Sequence, residues 1–296
     1  MLTNEQALTR MDVDLRLRGL ASSTQYRYRL NVQLFLDWAN LPAEEMGEEE
    51  IRHFLDYLIS EKKLGESCVN TYNAALRFFY AVTLGRNLNY KQIPRLKEAH
   101  PLPVILTRGE IARILDCAST LRNKVALMTI YGAGLRISEA CNLRIRDIES
   151  ETMRIFVRRG KNRKDRYTLL SQVNLDTLRE YWIEYRPRHP DGWLFLNSDG
   201  SGKLPCRTIQ SAFDAAVKRA GITKDVSTHT LRSCFATHLL EDGADIFDVM
   251  RLLGHSNIRN TTIYLRLAGF DPKLKSPLDT PRGGYKSVPK AVSDDA

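Results

Sequence analysis

The sequence predicts a mainly α-helical chain of the α+β class with one small antiparallel β element, and three observations carry that reading. Apolar residues recur at helical spacing through roughly the first ninety positions. Pro94, Pro101 and Pro103 then interrupt the pattern. Farther on, two short β-prone runs, Met153–Arg159 and Arg166–Leu170, flank a basic turn at Gly160–Asp165.

Each element follows from local signals. An opening helix is expected near Glu5–Leu20. Ser22 and Ser23 are read as the cap of a second, whose Tyr26, Leu30, Val32, Leu34, Phe35 and Trp38 fall at helical spacing. Glu48–Lys63 repeats the pattern through Ile51, Phe54, Leu55, Leu58 and Ile59. Ser67–Leu84 repeats it again through Val69, Tyr72, Leu76, Phe79 and Tyr80. Residues 1–95 therefore read as a four-helix domain and 96–104 as a linker. Helices are expected at Thr107–Ala118 and Lys124–Tyr131, with another opening at Ser138–Leu143. After the β-hairpin come Asn174–Tyr185, Thr208–Ala220, Thr230–Leu240, Ile246–Leu253 and Thr261–Leu267. This second domain spans 105–270. Residues 271–296, rich in Pro, Lys, Ser and Gly, read as a disordered tail.

Charge is unevenly placed. Residues 1–95 carry 12 Lys/Arg and 12 Asp/Glu, so the whole excess of +9 lies in residues 96–296, with 32 and 23. An anionic partner is expected there, and nucleic acid is the reading that fits. Five cysteines (Cys68, Cys117, Cys141, Cys206, Cys234) without CxxC spacing read as reduced core residues, neither a disulfide frame nor a zinc site. The N-terminus lacks a signal-peptide pattern, and no apolar run is long enough to cross a bilayer. A soluble, cytoplasmic protein with no membrane association is expected, associated with the nucleoid when bound to DNA.

Six residues form a candidate set for metal-free chemistry on a phosphodiester. Tyr264 can attack phosphorus as an oxygen nucleophile, storing the bond energy as a phosphotyrosyl ester, so no ATP is needed. Among twelve tyrosines it stands out only by its company. Arg136 and Arg232 suit the spread negative charge of a phosphorane transition state, because guanidinium offers paired donors and stays protonated. Arg136 follows the Gly-rich turn Gly132-Ala-Gly-Leu, which lets backbone approach a ligand. His229 and Arg232, three apart at a helix start, share a face. His255 lies just past Gly254, at an expected helix C-cap. Either histidine can bind phosphate or take the phenolic proton. Lys161, in the basic turn, can protonate the leaving 5′-oxygen, with Lys164 a competitor for that task. Glu139, one turn past Arg136, can hold that arginine or a histidine in place. His238 is nine residues from His229 on the opposite helix face, which argues against a metal pair. Arg158, Arg159, Arg163, Lys164 and Arg166 are expected to contact DNA phosphates. Taken singly, each of these residues has a plainer reading: a packed tyrosine, a capping histidine, a solvated arginine or lysine.

Together they resemble the tyrosine recombinases, or phage integrase family, and within it compact Xer-type and mobile-element enzymes. Gly132-Ala-Gly-Leu-Arg-Ile-Ser-Glu-Ala is similar to the family's first arginine motif, and Gly160–Arg166 to its β-hairpin lysine motif. His229-Thr-Leu-Arg232 and Leu253-Gly-His-Ser256 resemble the two histidine motifs, and Tyr264 stands nine residues after His255, as the family's nucleophile does. The motifs occur in order across residues 105–267. Ser233-Cys234 and the absence of a proline near the end of Arg166–Leu170 depart from many relatives, which weakens placement in a housekeeping Xer subgroup.

The resemblance implies a core-binding domain over 1–95 and a catalytic domain over 105–270. Arg136, Lys161, His229, Arg232 and His255 would assist Tyr264, with Glu139 in support. The implied activity is site-specific recombination of double-stranded DNA without cofactor or metal, by a protein monomeric when free and tetrameric on DNA. No arm-binding domain is expected, and the Lys161–His229 gap is short for an integron integrase, so a simple two-domain recombinase is the expectation. It could integrate, excise or resolve DNA. A type IB-like topoisomerase and a catalytically silent DNA-binding relative are the alternatives.

Overall fold

A computed structural model describes residues 2–99, 101–158 and 165–268. The expected tail, 271–296, lies outside the described residues. The chain divides into two compact units, one through Pro101 and one from Leu102.

The first unit holds α1 (Asn4–Leu17), α2 (Ser22–Ala39), α3 (Glu48–Ser60) and α4 (Glu66–Phe78), with a π-helical turn at Phe79–Thr83 ending α4. Thr3 caps α1 reciprocally with Gln6: the Gln6 amide donates to Thr3 Oγ1 at 3.2 Å and the Thr3 amide to Gln6 Oε1 at 2.9 Å. Ser22 and Ser23 do not cap α2. The helix starts on them, and Ala21 is its N-cap, with no side-chain bond. The core is aromatic, with Phe35 edge-on to Phe54 at 5.2 Å and to Tyr80 at 6.5 Å. Residues 93–96 are strapped to α4. Arg77 donates to the Ile93 carbonyl, Asn73 to that of Pro94 at 3.0 Å, and Asn70 to that of Leu96 at 2.9 Å. The beginning of the expected linker is thus bound to the first unit.

The second unit is built around α6 (Leu121–Ala133), a helix buried on most sides, contacted by α5 (Arg108–Asp116), α8 (Gln172–Tyr185), α9 (Cys206–Arg219) and α10 (Thr228–Glu241). Short α7 (Ile137–Cys141) follows α6, and α11 (Ile246–Leu253) and α12 (Arg259–Leu265) close the described part. The expected hairpin is present as β2 (Arg154–Val157) and β3 (Arg166–Leu169), and a two-residue strand β1 (Ile148–Glu149) extends it to an antiparallel sheet of order β1-β2-β3. Register pairs Val157 with Arg166 and Phe156 with Tyr167. Alternation sends Ile155, Val157 and Thr168 into the core, while Arg154, Tyr167 and Leu169 stay at the surface. Phe235, Val249, Leu253 and Tyr264 form a smaller cluster joining α10, α11 and α12.

All five cysteines are free thiols. Among the described residues no helix is long and apolar enough to cross a membrane, and no group of three or more His, Cys, Asp or Glu is arranged to hold a metal ion.

Candidate active site

The site begins where α6 ends. Gly134 caps that helix at φ +59°, and a Cβ there would lie 2.3 Å from Phe235 Cδ1, so glycine is required on two counts. The turn delivers Arg136 as N-cap of α7, and Glu139 reaches back to it. The Arg136 amide donates to Glu139 Oε2 at 2.8 Å, and Arg136 Nη1 pairs with Glu139 Oε1 at 2.7 Å.

Arg232 comes from α10 and is 1% exposed. Its Nη1 donates to the Gly134 carbonyl and its Nη2 to that of Leu253, both at 2.6 Å. These carbonyls lie at the C-terminal ends of α6 and α11, so the cation sits at the negative poles of two helix dipoles. Glu139 Oε2 is 3.6 Å away. Burial and the nearby Arg136 push the Arg232 guanidinium down to about 9, against the pull of Glu139, which leaves it cationic at neutral pH.

Gly254 caps α11 at φ +65°, as expected, and turns His255 into the site. Its Nε2 meets Arg232 Nη2 at 3.2 Å and its Nδ1 meets Thr261 Oγ1 at 2.9 Å. Because arginine only donates, Nε2 accepts in this contact, and Nδ1 carries the proton in a neutral ring. The Tyr264 ring lies nearly parallel to that of His255, with centroids 6.4 Å apart and planes at 20°, and is 5% exposed. His229, the second residue of α10, is at the surface. Desolvation of its ring, then Arg232 and Arg136, lower its basicity and favour neutral imidazole.

Arg136, Glu139, His229, Arg232, His255 and Tyr264 are therefore brought together. Lys161, Arg159, Arg163 and Lys164 lie outside the described residues. Arg158 keeps 38% side-chain exposure but is paired to buried Asp147 at 2.6 Å. Arg166, expected at the DNA surface, is turned inward instead. It binds both oxygens of Glu139, with Nη1 to Oε1 at 2.9 Å and Nη2 to Oε2 at 2.7 Å, and its Nε donates to the Leu252 carbonyl at 2.8 Å. Strand parity is the cause: Arg166 lies two residues before core-facing Thr168, so it shares that face. Burial alone would raise the Glu139 carboxyl, but hydrogen bonds and charge from Arg166, then the amide and charge of Arg136, hold it at about 2. His238 bonds Tyr131 Oη through Nδ1 at 2.9 Å, a satisfied core histidine away from the site.

One residue missed from the sequence and one expected in another role belong here. Thr261 is fully buried behind His255, and Arg166 is the second partner of Glu139. The signal for Arg166 was the alternation of Arg166, Thr168 and Leu170; Thr261 offered none.

Residues 105–269 match the phage integrase family, and residues 8–90 match the phage integrase N-terminal SAM-like domain. An integrase/recombinase of Sinorhizobium fredii is 38% identical over 88% of this chain and 83% of its own length. A tyrosine recombinase of Thermosipho africanus is 32% identical over 85% of this chain and 91% of its own. Among solved structures, the XerH site-specific recombinase bound to palindromic difH substrate shares the fold with a TM-score of 0.72, at 22% identity over 85% of this chain and 78% of that one. A lambda integrase tetramer bound to a Holliday junction does so with a TM-score of 0.73, at 19% identity over 93% and 80%. By its two matched domains and its relatives, this chain belongs to the phage integrase family, the tyrosine recombinases.

Proposed function

We propose that the chain is a site-specific DNA recombinase that cuts and rejoins strands through a 3′-phosphotyrosyl intermediate on Tyr264. The observation that carries this is the Tyr264 ring held beside His255, whose other side touches the Arg232 guanidinium. In the step we assign, the phenolic oxygen forms a bond to phosphorus as the bond to the 5′-oxygen breaks. The phenolic proton passes to the imidazole of His229 or, once its Nε2 is released from Arg232, to His255, and Lys161 supplies a proton to the leaving 5′-oxygen. Arg136 and Arg232 stabilise charge on the non-bridging oxygens. Three guanidinium groups face the single Glu139 carboxylate, so the cluster has surplus positive charge that a phosphate would balance.

The partner on this reading is double-stranded DNA carrying a recombination site. On this reading assembly follows the lambda integrase tetramer bound to a Holliday junction, with a monomer when free, and the reaction takes place in the cytoplasm. Relatives named as recombinases and integrases favour strand exchange over topoisomerase-like relaxation or silent binding. A nicked suicide substrate tests the reading. The wild type becomes covalently trapped with EDTA present, and Tyr264→Phe does not while still binding DNA. An adduct from Tyr264→Phe, or EDTA-sensitive cleavage, refutes it.

A further inference from the structure

Arg166 ends the basic turn and was expected only as a DNA contact, yet it is built into the site. Three of its nitrogens donate inward, and its side chain is only 9% exposed. Glu139 in turn receives four hydrogen bonds, two from Arg136 and two from Arg166. The carboxylate therefore has little freedom to rotate. A bidentate fork fixes its plane, which lysine at the same place could not do.

The elements involved differ in stiffness. The α7 helix has five residues and one and a half turns, too short to hold its own orientation. β3 is held by four paired positions with β2, and Thr168 Oγ1 on the same strand donates to the Ala133 carbonyl at 2.7 Å. Arg166 bridges the two. It also crosses the α11 C-cap, where a Cβ on Gly254 would come within 2.8 Å of Arg166 Cδ. That glycine immediately precedes His255. One side chain thus braces both the turn bearing the first arginine and the turn bearing the second histidine.

We infer that Arg166 is a positioning residue: through Glu139 it sets the direction of the Arg136 guanidinium, and through the Leu252 carbonyl it steadies the His255 turn, with no contact of its own to DNA. This rests on the function proposed above. Charged groups facing Glu139 are Arg136 from its own helix start, Arg166 from β3 and Arg232 from α10. Across from α7, the free thiol of Cys206 on α9 lies near that of Cys141 at the other end of the helix. Arg166 is the leading group that lowers the Glu139 carboxyl, so its loss lets that carboxyl rise toward the ordinary range.

The test uses the full chain with Arg166→Gln and Arg166→Lys, measuring single-turnover adduct formation against pH beside DNA affinity against salt. Arg166→Gln is expected to cleave ~10²-fold slower, the cost of a misplaced clamp. Its affinity and salt slope should match the wild type. Its rate should acquire an acidic limb as Glu139 protonates and releases Arg136, and adding Glu139→Gln should remove that limb. Arg166→Lys should recover part of the rate. If Arg166→Gln does not fold, Arg166→Lys decides alone: about tenfold slower cleavage at unchanged affinity supports the inference, and a wild-type rate overturns it. A DNA contact would instead lower affinity, reduce the salt slope by about one and add no limb, which also overturns it. A wild type that forms no adduct sinks the function itself. An active wild type beside an equally active Arg166→Gln sinks only this inference.

Discussion

In the first unit the buried polar side chains among the described residues are uncharged, the amides of Asn31, Asn70 and Asn73 and the hydroxyl of Thr83. Asn70 donates to the Leu96 carbonyl and Glu98 Oε1 and accepts from the Leu96 amide, at 2.8 to 2.9 Å, and so ties down a strap. In the second unit the buried groups around α7 are ionised: Arg232, Glu139 and Arg166. Amides are cheap to bury once bonded, because little field escapes them. Ions cost several kcal/mol each and persist only where opposite charge or oriented carbonyls replace water. The first arrangement serves stability. The second maintains a concentrated positive field at one place, where a phosphate would be received.

The difference can be broken at its two centres. Phe35→Ala removes a fully buried ring from the aromatic core of the first unit and should cost about 3–5 kcal/mol of stability, read by denaturant midpoint, while folded molecules keep their cleavage rate. Arg232→Met should cut the cleavage rate by ~10²–10³-fold. If Phe35→Ala slowed the chemistry of folded protein, or Arg232→Met left it intact, the division of labour would be wrong.

The ionised cluster should also give the second unit its own pH signature. Glu139 is held at about 2 in the folded chain against an ordinary 4.5. Its contribution is thus fully present above the unfolded value and is lost as pH falls from there through the folded one. A shift of that size corresponds to about 3 kcal/mol. The stability gap between wild type and Glu139→Gln should narrow by that order from about pH 5 to about pH 2. A constant gap would mean that the carboxylate gains nothing from its arginines.

The smallest effect compares two glycines. Gly85 and Gly134 both have positive φ, at +67° and +59°, but a Cβ on Gly85 meets nothing within 4 Å, whereas one on Gly134 meets Phe235. Both alanine variants carry the backbone penalty. Only Gly134→Ala adds overpacking, so it should lose ~1–3 kcal/mol more than Gly85→Ala in thermal or denaturant unfolding. Equal losses would show that Phe235 yields freely and that the turn before Arg136 is looser than its packing implies.

Much of this was legible in advance. Helical periodicity marked Glu48–Ser60 and Ile246–Leu253 to within a few residues, and the motif order marked Arg136, His229, Arg232, His255 and Tyr264, which lie near one another, while Lys161 falls outside the described residues. Other features had no local signal. A two-residue strand such as Ile148–Glu149 is too short to show a period. The serines at 22 and 23 looked like caps because cap preference is local, whereas the start of α2 is set by where the chain leaves Leu20. Arg166 was misread because a run of basic residues suggests solvent, and a charged residue two positions before a buried threonine was treated as part of that run. Alternation along the strand was the better guide there.

The central claim is that one phenol, Tyr264, carries the covalent link to DNA. The most direct measurement traps wild-type protein on a suicide substrate, digests the complex and locates the nucleotide adduct by mass spectrometry. The account predicts a single phosphotyrosyl peptide containing Tyr264, and an adduct on any other residue would contradict it.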